Sequence, residues 1–299
     1  MLVLTAGLVG LTACTTASQS AVANTPSGGP AFNPLSVTKD DALAASVPAA
    51  IRSKGTLTIG SDTTFPPAES LGGSDGQTAV GYDVDLAKAI GTKLGLKVSI
   101  STADFPSILP SLGTKYDLGV SSFFITNERL KAVNLVSYFQ GGTQWAVQKG
   151  NPKNFDLDNV CGKNIGVQSG SFQETEDLAG RNAKCISEGK PAINIVSLKS
   201  QTDVSTRLVA GGIDAMPAAS ITIAYAITQS GGQLQALGDV YGASPVGIAV
   251  AKNDIPLADA VAKAVNKLMA DGDYKKILDA WGNGSGAIDH AKVNPDVSK

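Results

Sequence analysis

Histidine is nearly missing from this 299-residue sequence: the one copy, His290, stands near the C-terminus in a Gly/Ser/Asp-rich stretch. Most general acid-base catalysis and many metal sites draw on that side chain. Ser-His-Asp and Cys-His catalysis and His-rich zinc sites are therefore set aside. A surplus of charge is missing too. Lys and Arg number 24 against 26 Asp and Glu, a net charge of -2, which leaves no diffuse positive field to gather phosphates or anionic headgroups. No nucleic-acid partner is expected. Neither G-x-x-x-x-G-K-[ST] nor G-x-G-x-x-G occurs, so the phosphate and dinucleotide cradles are absent in recognisable form, and no cofactor or metal is expected. What is present is 43% hydrophobic and 17% charged residues. That composition suits a soluble chain of roughly two domains with sizeable cores and excludes disorder as its overall state. It points to binding before catalysis.

Residues 2 to 13, LVLTAGLVGLTA, are too few to cross about 30 Å of hydrocarbon but suit the apolar core of a signal peptide. They end in Leu11-Thr12-Ala13-Cys14, which resembles the bacterial lipobox. Cys14 is then the expected lipidation site and mature N-terminus. No Lys or Arg precedes the apolar core, a departure from the usual positive n-region that leaves the true start codon open. From Met1 through Thr38 no residue is charged, and Thr15 to Pro34 is rich in Thr, Ser, Ala, Gly and Pro. A flexible tether is expected there. Beyond the signal no apolar run is long enough to span a membrane, so the chain is expected outside the cell membrane, held by its lipid. Cys161 and Cys185 form an even pair in a chain expected to be exported, where thiols oxidise. A Cys161-Cys185 disulfide is the natural hypothesis, with two buried free thiols as the alternative.

After the tether, β-rich runs alternate with helix-period segments, the pattern of α/β units. Leu57-Thr58-Ile59-Gly60 and Val98-Ser99-Ile100-Ser101 alternate as strands. Between them Leu86, Ile90 and Leu94 mark one face of a helix that has Asp83 and Asp85 at its start and Gly95 past its end. Further strands are expected at Ile165-Val167, Ile193-Val196 and Val246-Val250. Closing helices are expected at Leu257-Ala270 and Tyr274-Trp281.

Four segments carry a more specific signal. They are Gly60-Ser61-Asp62-Thr63-Thr64-Phe65-Pro66-Pro67, Val80-Gly81-Tyr82-Asp83-Val84-Asp85-Leu86-Ala87, the run FPSILPSL from Phe105 to Leu112, and Tyr116 to Arg129 ending in T-x-x-R. In this order and spacing they resemble the extracytoplasmic solute-binding proteins that serve ABC importers for polar amino acids, family 3, over roughly Leu57 to Trp281. The resemblance implies a two-lobed α/β fold of the type II periplasmic-binding-protein kind. Two strands would cross between the lobes near Tyr138-Thr143 and Tyr241-Val246, with the ligand between them. The implied division is a signal peptide over 1–13, a lipid-anchored tether over 14–50, one lobe from 51–140 with 245–290, a second lobe over 141–244, and a tail over 291–299. The implied partners are a small carboxylate-bearing solute and a membrane permease, with a monomer as the default.

Carried over residue by residue, Arg129 matches the family's carboxylate anchor, a role suited to the fixed fork of a guanidinium. Ser121, Ser122 and Ser171 match positions offering hydroxyls or backbone groups, with caps or turns as the plainer alternative. Gly170-Ser171 opens a helix whose first N-H groups favour an anion. Phe65 and Phe105 match rings that sandwich the solute, core packing being a rival for Phe105. Asp62 and Asp83 match acids that contact ligand or cap structure, the two roles weighing equally.

The sequence departs from the family pattern in three places. Phe124 and Phe172 replace small hydroxyl residues, and Ala219 stands where an acid usually receives the α-ammonium. No charged residue occurs from Ala215 to Gly238, so no slip of register restores that acid. A buried ammonium without a partner costs several kcal/mol. The expected ligand is therefore a carboxylate with an apolar or aromatic body, or a modified amine caged by Phe65, Phe105, Phe124 and Phe172, with Asp62 as its negative partner. Two alternatives remain: a sensor reporting to a membrane receptor or kinase, and a cyclic-acid dehydratase on the same scaffold.

Overall fold

The computed structural model describes residues 32–297. The expected signal segment, Cys14 and the first part of the tether lie outside the described residues. In the strand Thr56–Ser61, alternation buries Leu57 and Ile59, and parallel strands Lys97–Thr102 and Leu118–Phe124 flank it. The helix Tyr82–Lys93 packs on this sheet through Leu86 and Ile90, and Leu94 directly after it joins the same core. Asp83 and Asp85 occupy its first turn and Gly95 follows its end at φ 69°, as the cap signals indicate.

Two long strands, Val133–Gln148 and Leu234–Ala251, pair antiparallel along their lengths. The six-stranded sheet runs in the order Met216–Ala219, Val133–Gln148, Leu234–Ala251, Leu118–Phe124, Thr56–Ser61, Lys97–Thr102. One end of the long pair therefore belongs to the parallel strands. The other end carries Met216–Ala219, and an isolated bridge from Ala215 to Ile165 links it to a two-stranded parallel sheet, Asn164–Gln168 with Asn194–Leu198. Separate cores form at the two ends, one around Leu86, Tyr138, Ile248 and Leu268 and the other around Trp145, Phe155, Ile165 and Leu178. Between them the long pair loses register around Tyr241, opposite Gly141 and Gly142. The result is a mixed α/β protein of two lobes joined by two strands.

Cys161 and Cys185 are disulfide-bonded across 24 residues of sequence, tying the loop before Asn164–Gln168 to the helix Ala179–Ser187. One expectation is corrected. The described part of the tether is ordered: Asp41–Ser46 and Ala49–Lys54 are helices, and Asp40 Oδ1 caps the first by accepting from the Leu43 amide at 3.0 Å. Val37, Val47 and Ile51, scattered among small residues, are buried against the first core, which is enough apolar area to dock the segment. The tail is docked as well. Ala291 is buried, the Ser137 amide donates to Lys292 O at 2.9 Å, and the Leu135 amide donates to Asn294 Oδ1 at 2.9 Å.

Candidate functional site

The site begins with an irregularity in the strand Leu118–Phe124. Its pairing with the long strand shifts between Gly247 and Ala249, and Ser122 adopts φ 47°. A non-glycine residue in that region persists only where its surroundings hold it. Here the Ser122 amide and hydroxyl both donate to Asp83 Oδ2, at 2.8 and 3.0 Å, and the Ser122 hydroxyl pairs with Tyr82 OH at 3.2 Å. Tyr138 OH donates to the other Asp83 oxygen. Ser121 is held in the same way: its hydroxyl donates to Glu69 Oε1 at 2.7 Å and accepts from the Asp62 amide at 3.0 Å. Both serine hydroxyls are thus committed to the first lobe beneath the site. Asp83 is fully buried, with both carboxylate oxygens engaged by donors of the first lobe.

Arg129 lies on the short helix Asn127–Ala132, capped by Thr126 Oγ1, which accepts the Arg129 amide. Its guanidinium sits over the rings of Phe105 and Phe123, 5.5 and 5.7 Å from their centroids. Nη1 donates to Phe124 O at 2.8 Å, and Nη2 donates across the cleft to Gly170 O at 3.0 Å. Both acceptors are neutral carbonyls. Burial pushes its pKa down to about 10, opposed by the charge of Glu176. A partly buried cation whose side-chain partners are neutral carbonyls has the chemistry to accept an anion.

The second lobe contributes the end of the strand Asn164–Gln168 and the turn after it. Gln168 Nε2 donates to Asp62 Oδ2 at 2.9 Å, and Asp62 also accepts from the Phe105 amide, the Thr64 amide and the Thr64 hydroxyl. Burial raises the Asp62 pKa despite these donors. Asp62 therefore joins the lobes with its oxygens already engaged. The helix start expected to bind an anion is occupied by the chain's own groups. Gly170 N donates to Glu174 Oε2 at 2.6 Å, Ser171 N to Gln168 O, and Glu174 N to Ser171 Oγ. Ser171 acts as a cap there. A π-helical turn, Gln173–Leu178, follows and turns Gln173 inward, where its Nε2 donates to Thr143 Oγ1 at 2.9 Å.

Phe65, Phe105, Ser121, Ser122, Phe124, Arg129, Gln168, Ser171, Phe172 and Gln173 line one cavity. Eight of these were read from the sequence; Asp62 and Asp83 stand behind the wall. Gln168 and Gln173 were missed. The signal for Gln168 was available: it ends an apolar strand just before Gly-Ser, where α/β folds present ligand-facing groups. The rings do not form an open cage. Phe124 stacks on Phe172 with centroids 5.6 Å apart, and Phe105 stacks on Phe123 at 4.8 Å. The remaining volume is about 10 Å³, room for about one water. Ala219, at the end of Met216–Ala219 and paired with Thr143, is buried outside this lining, and no carboxylate is among the lining residues. A larger concavity of about 670 Å³ lies mainly between the helices Gln201–Val209 and Ser220–Gln229, and no charged side chain lines it.

The model of the bacterial extracellular solute-binding proteins, family 3, matches residues 57–284. The arginine-binding protein ArgT of Corynebacterium glutamicum is 35% identical over 97% of this chain and 95% of its own. Among solved structures, an ancestral arginine-binding protein bound to arginine superimposes with a TM-score of 0.69 at 32% identity, covering 76% of this chain and 98% of that one. An ancestral amino acid-binding protein described as a precursor of cyclohexadienyl dehydratase gives 0.65 at 26% identity, covering 78% and 97%.

Proposed function

We propose that this chain, which belongs to the bacterial extracellular solute-binding proteins of family 3, captures an amino acid through its carboxylate and delivers it to an ABC permease. L-arginine is the first candidate. The observation that carries this reading is Arg129, a half-buried guanidinium with two carbonyl partners, facing the second lobe beside four phenylalanine rings. The names of the relatives support arginine, whose own guanidinium suits stacking on such rings. The lobes are 51–140 with 245–290 and 141–244, the N-terminus is anchored through a lipid on Cys14, and the protein works as a monomer outside the membrane.

The cavity lining and Ala219 favour one variant of this reading, in which the α-ammonium is not required. Titration calorimetry with L-arginine, des-amino arginine and agmatine separates the possibilities. Arginine and its des-amino analogue are expected to bind within about tenfold of each other, a difference of about 1.4 kcal/mol, and agmatine, lacking the carboxylate, is not expected to bind. Binding of agmatine alone would overturn the carboxylate role of Arg129. Loss of binding without the α-amine would overturn the reading of Ala219. The non-enzymatic reading is supported by the relatives, which are named as binding proteins. A dehydratase needs an acid within reach of the substrate, so conversion of a cyclic acid by the purified protein would reverse it.

A further inference from the structure

Glu69 belongs to no part of the cavity wall, yet it is completely buried at the start of the strand Glu69–Gly72. One of its oxygens, Oε1, accepts the Ser121 hydroxyl; the other, Oε2, is buried with no donor. Asp83, also completely buried, is held against this strand start, its amide donating to Ala68 O at 3.1 Å, and its carboxylate oxygens already accept from the Ser122 amide and hydroxyl and from Tyr138 OH. Two carboxylates cannot hydrogen-bond to each other without a proton between them, and a buried acceptor left without a donor carries a desolvation penalty.

We propose that Glu69 is a positioning residue for ligand binding, which it serves by carrying a proton on Oε2 and donating it to ionised Asp83. The assignment follows from donor counts. Three donors and the N-terminus of the helix Tyr82–Lys93 favour the anion on Asp83, whereas Glu69 receives one donor. The titratable groups facing the pair are Asp62 from beyond the strand Thr56–Ser61, Tyr82 on the helix and Tyr138 on the long strand. None is a cation. Burial and the Asp83 charge accordingly raise the Glu69 pKa well above the usual carboxylate range. The proton has a structural consequence at the site: the Glu69 carboxyl fixes Ser121 Oγ, which fixes the Asp62 amide, and Asp62 receives Gln168 from the other lobe. Deprotonation places two anions together in a buried site that no cation faces and loosens that chain from below.

Glu69→Gln places an amide N-H where the acid proton stood and keeps the acceptor for Ser121, while Glu69→Ala removes both. Three readouts test the assignment, the last of which rests on the proposed function. Isotope-edited infrared spectra of the ligand-free wild type are expected to show a protonated carboxylic C=O band at neutral pH that is absent from Glu69→Gln. Hydrogen exchange at the Asp62 amide is expected to accelerate by about tenfold in Glu69→Ala, equivalent to about 1.4 kcal/mol of lost protection, and to stay unchanged in Glu69→Gln. The affinity for L-arginine is expected to fall in the wild type as pH rises through the raised Glu69 pKa. Glu69→Gln is expected to bind within about threefold of wild type at neutral pH and to lack that alkaline step. A band that survives Glu69→Gln, or an Asp62 amide indifferent to Glu69→Ala, would overturn the proposal. Should the wild type bind no arginine while the first two readouts behave as expected, the ligand reading falls and the role of Glu69 stands.

Discussion

Under the proposed function, Arg129 trades stability for recognition. Its guanidinium is largely removed from water, its acceptors are the carbonyls of Phe124 and Gly170, and burial lowers its pKa to about 10. In the unfolded chain an arginine keeps its proton to higher pH, so at neutral pH the folded state bears the cost of a charge it cannot fully satisfy, a cost relieved only as pH rises through the folded pKa. An apolar replacement of similar length removes the cost and the anion receptor together. Arg129→Met is expected to melt no lower than wild type while binding of a carboxylate ligand falls by about a hundredfold, about 2.8 kcal/mol, the scale of a charged bidentate contact. Calorimetric melting and titration of one preparation check both halves. A variant that both melts lower and binds normally would make Arg129 a structural residue. In the wild type, affinity is also expected to fall as pH rises past about 10, when the guanidinium begins to lose its proton.

At the scale of elements, the sequence pattern was informative where a segment's own residues decide its form. Leu86, Ile90 and Leu94 marked the helix face, and Asp83, Asp85 and Gly95 marked its ends, because periodicity and caps are local. Gly81 extends the case. Its φ of 134° is one only glycine adopts readily, and an added Cβ there collides with Ala68 O. Gly81→Ala is therefore expected to destabilise the protein by about 3 kcal/mol, combining backbone strain with overpacking, measured as a shifted urea midpoint; an unchanged midpoint would mean that the turn into Tyr82–Lys93 relaxes freely. Less was legible where form depends on distant partners. The shift at Ser122 arises from the long strand's pairing with Leu118–Phe124, more than a hundred residues away in sequence, and no local pattern announces it. The docking of Val37 and Val47 was hidden by a composition rich in Ala and Ser. The family resemblance brought eight lining residues within reach and left open whether the serines offer hydroxyls or backbone groups; the partners of the Ser121 and Ser122 hydroxyls, Glu69 and Asp83, are distant in sequence and no local pattern marks them.

For the whole molecule, the decisive feature is that the two lobes meet directly. Asp62 with Gln168, Thr64 with the Gln201 amide, Arg129 with Gly170 O, and Phe124 with Phe172 all bridge the cleft. The surface pair Lys199–Asp104 adds little, because both side chains are largely exposed. With a cavity of about 10 Å³, an amino acid enters only when the lobes part. The long strands allow this where their register breaks around Tyr241 and where Gly238 and Gly242 take positive φ. Opening must then precede binding, so the observed association rate is expected to rise with ligand concentration and level off at the opening rate. The stacked ring pair is part of what opening breaks. Aromatic contacts of this kind contribute about 1 kcal/mol, so Phe172→Ala should raise the plateau by about fivefold, and its effect on affinity should differ from its effect on the plateau because Phe172 also lines the cavity. Stopped-flow fluorescence from Trp145, buried on the long strand Val133–Gln148 in the core of the second lobe, offers the readout. A rate that stays linear to the highest ligand concentration and is untouched by Phe172→Ala would mean that the cleft stands open in solution and closes only after the ligand has bound.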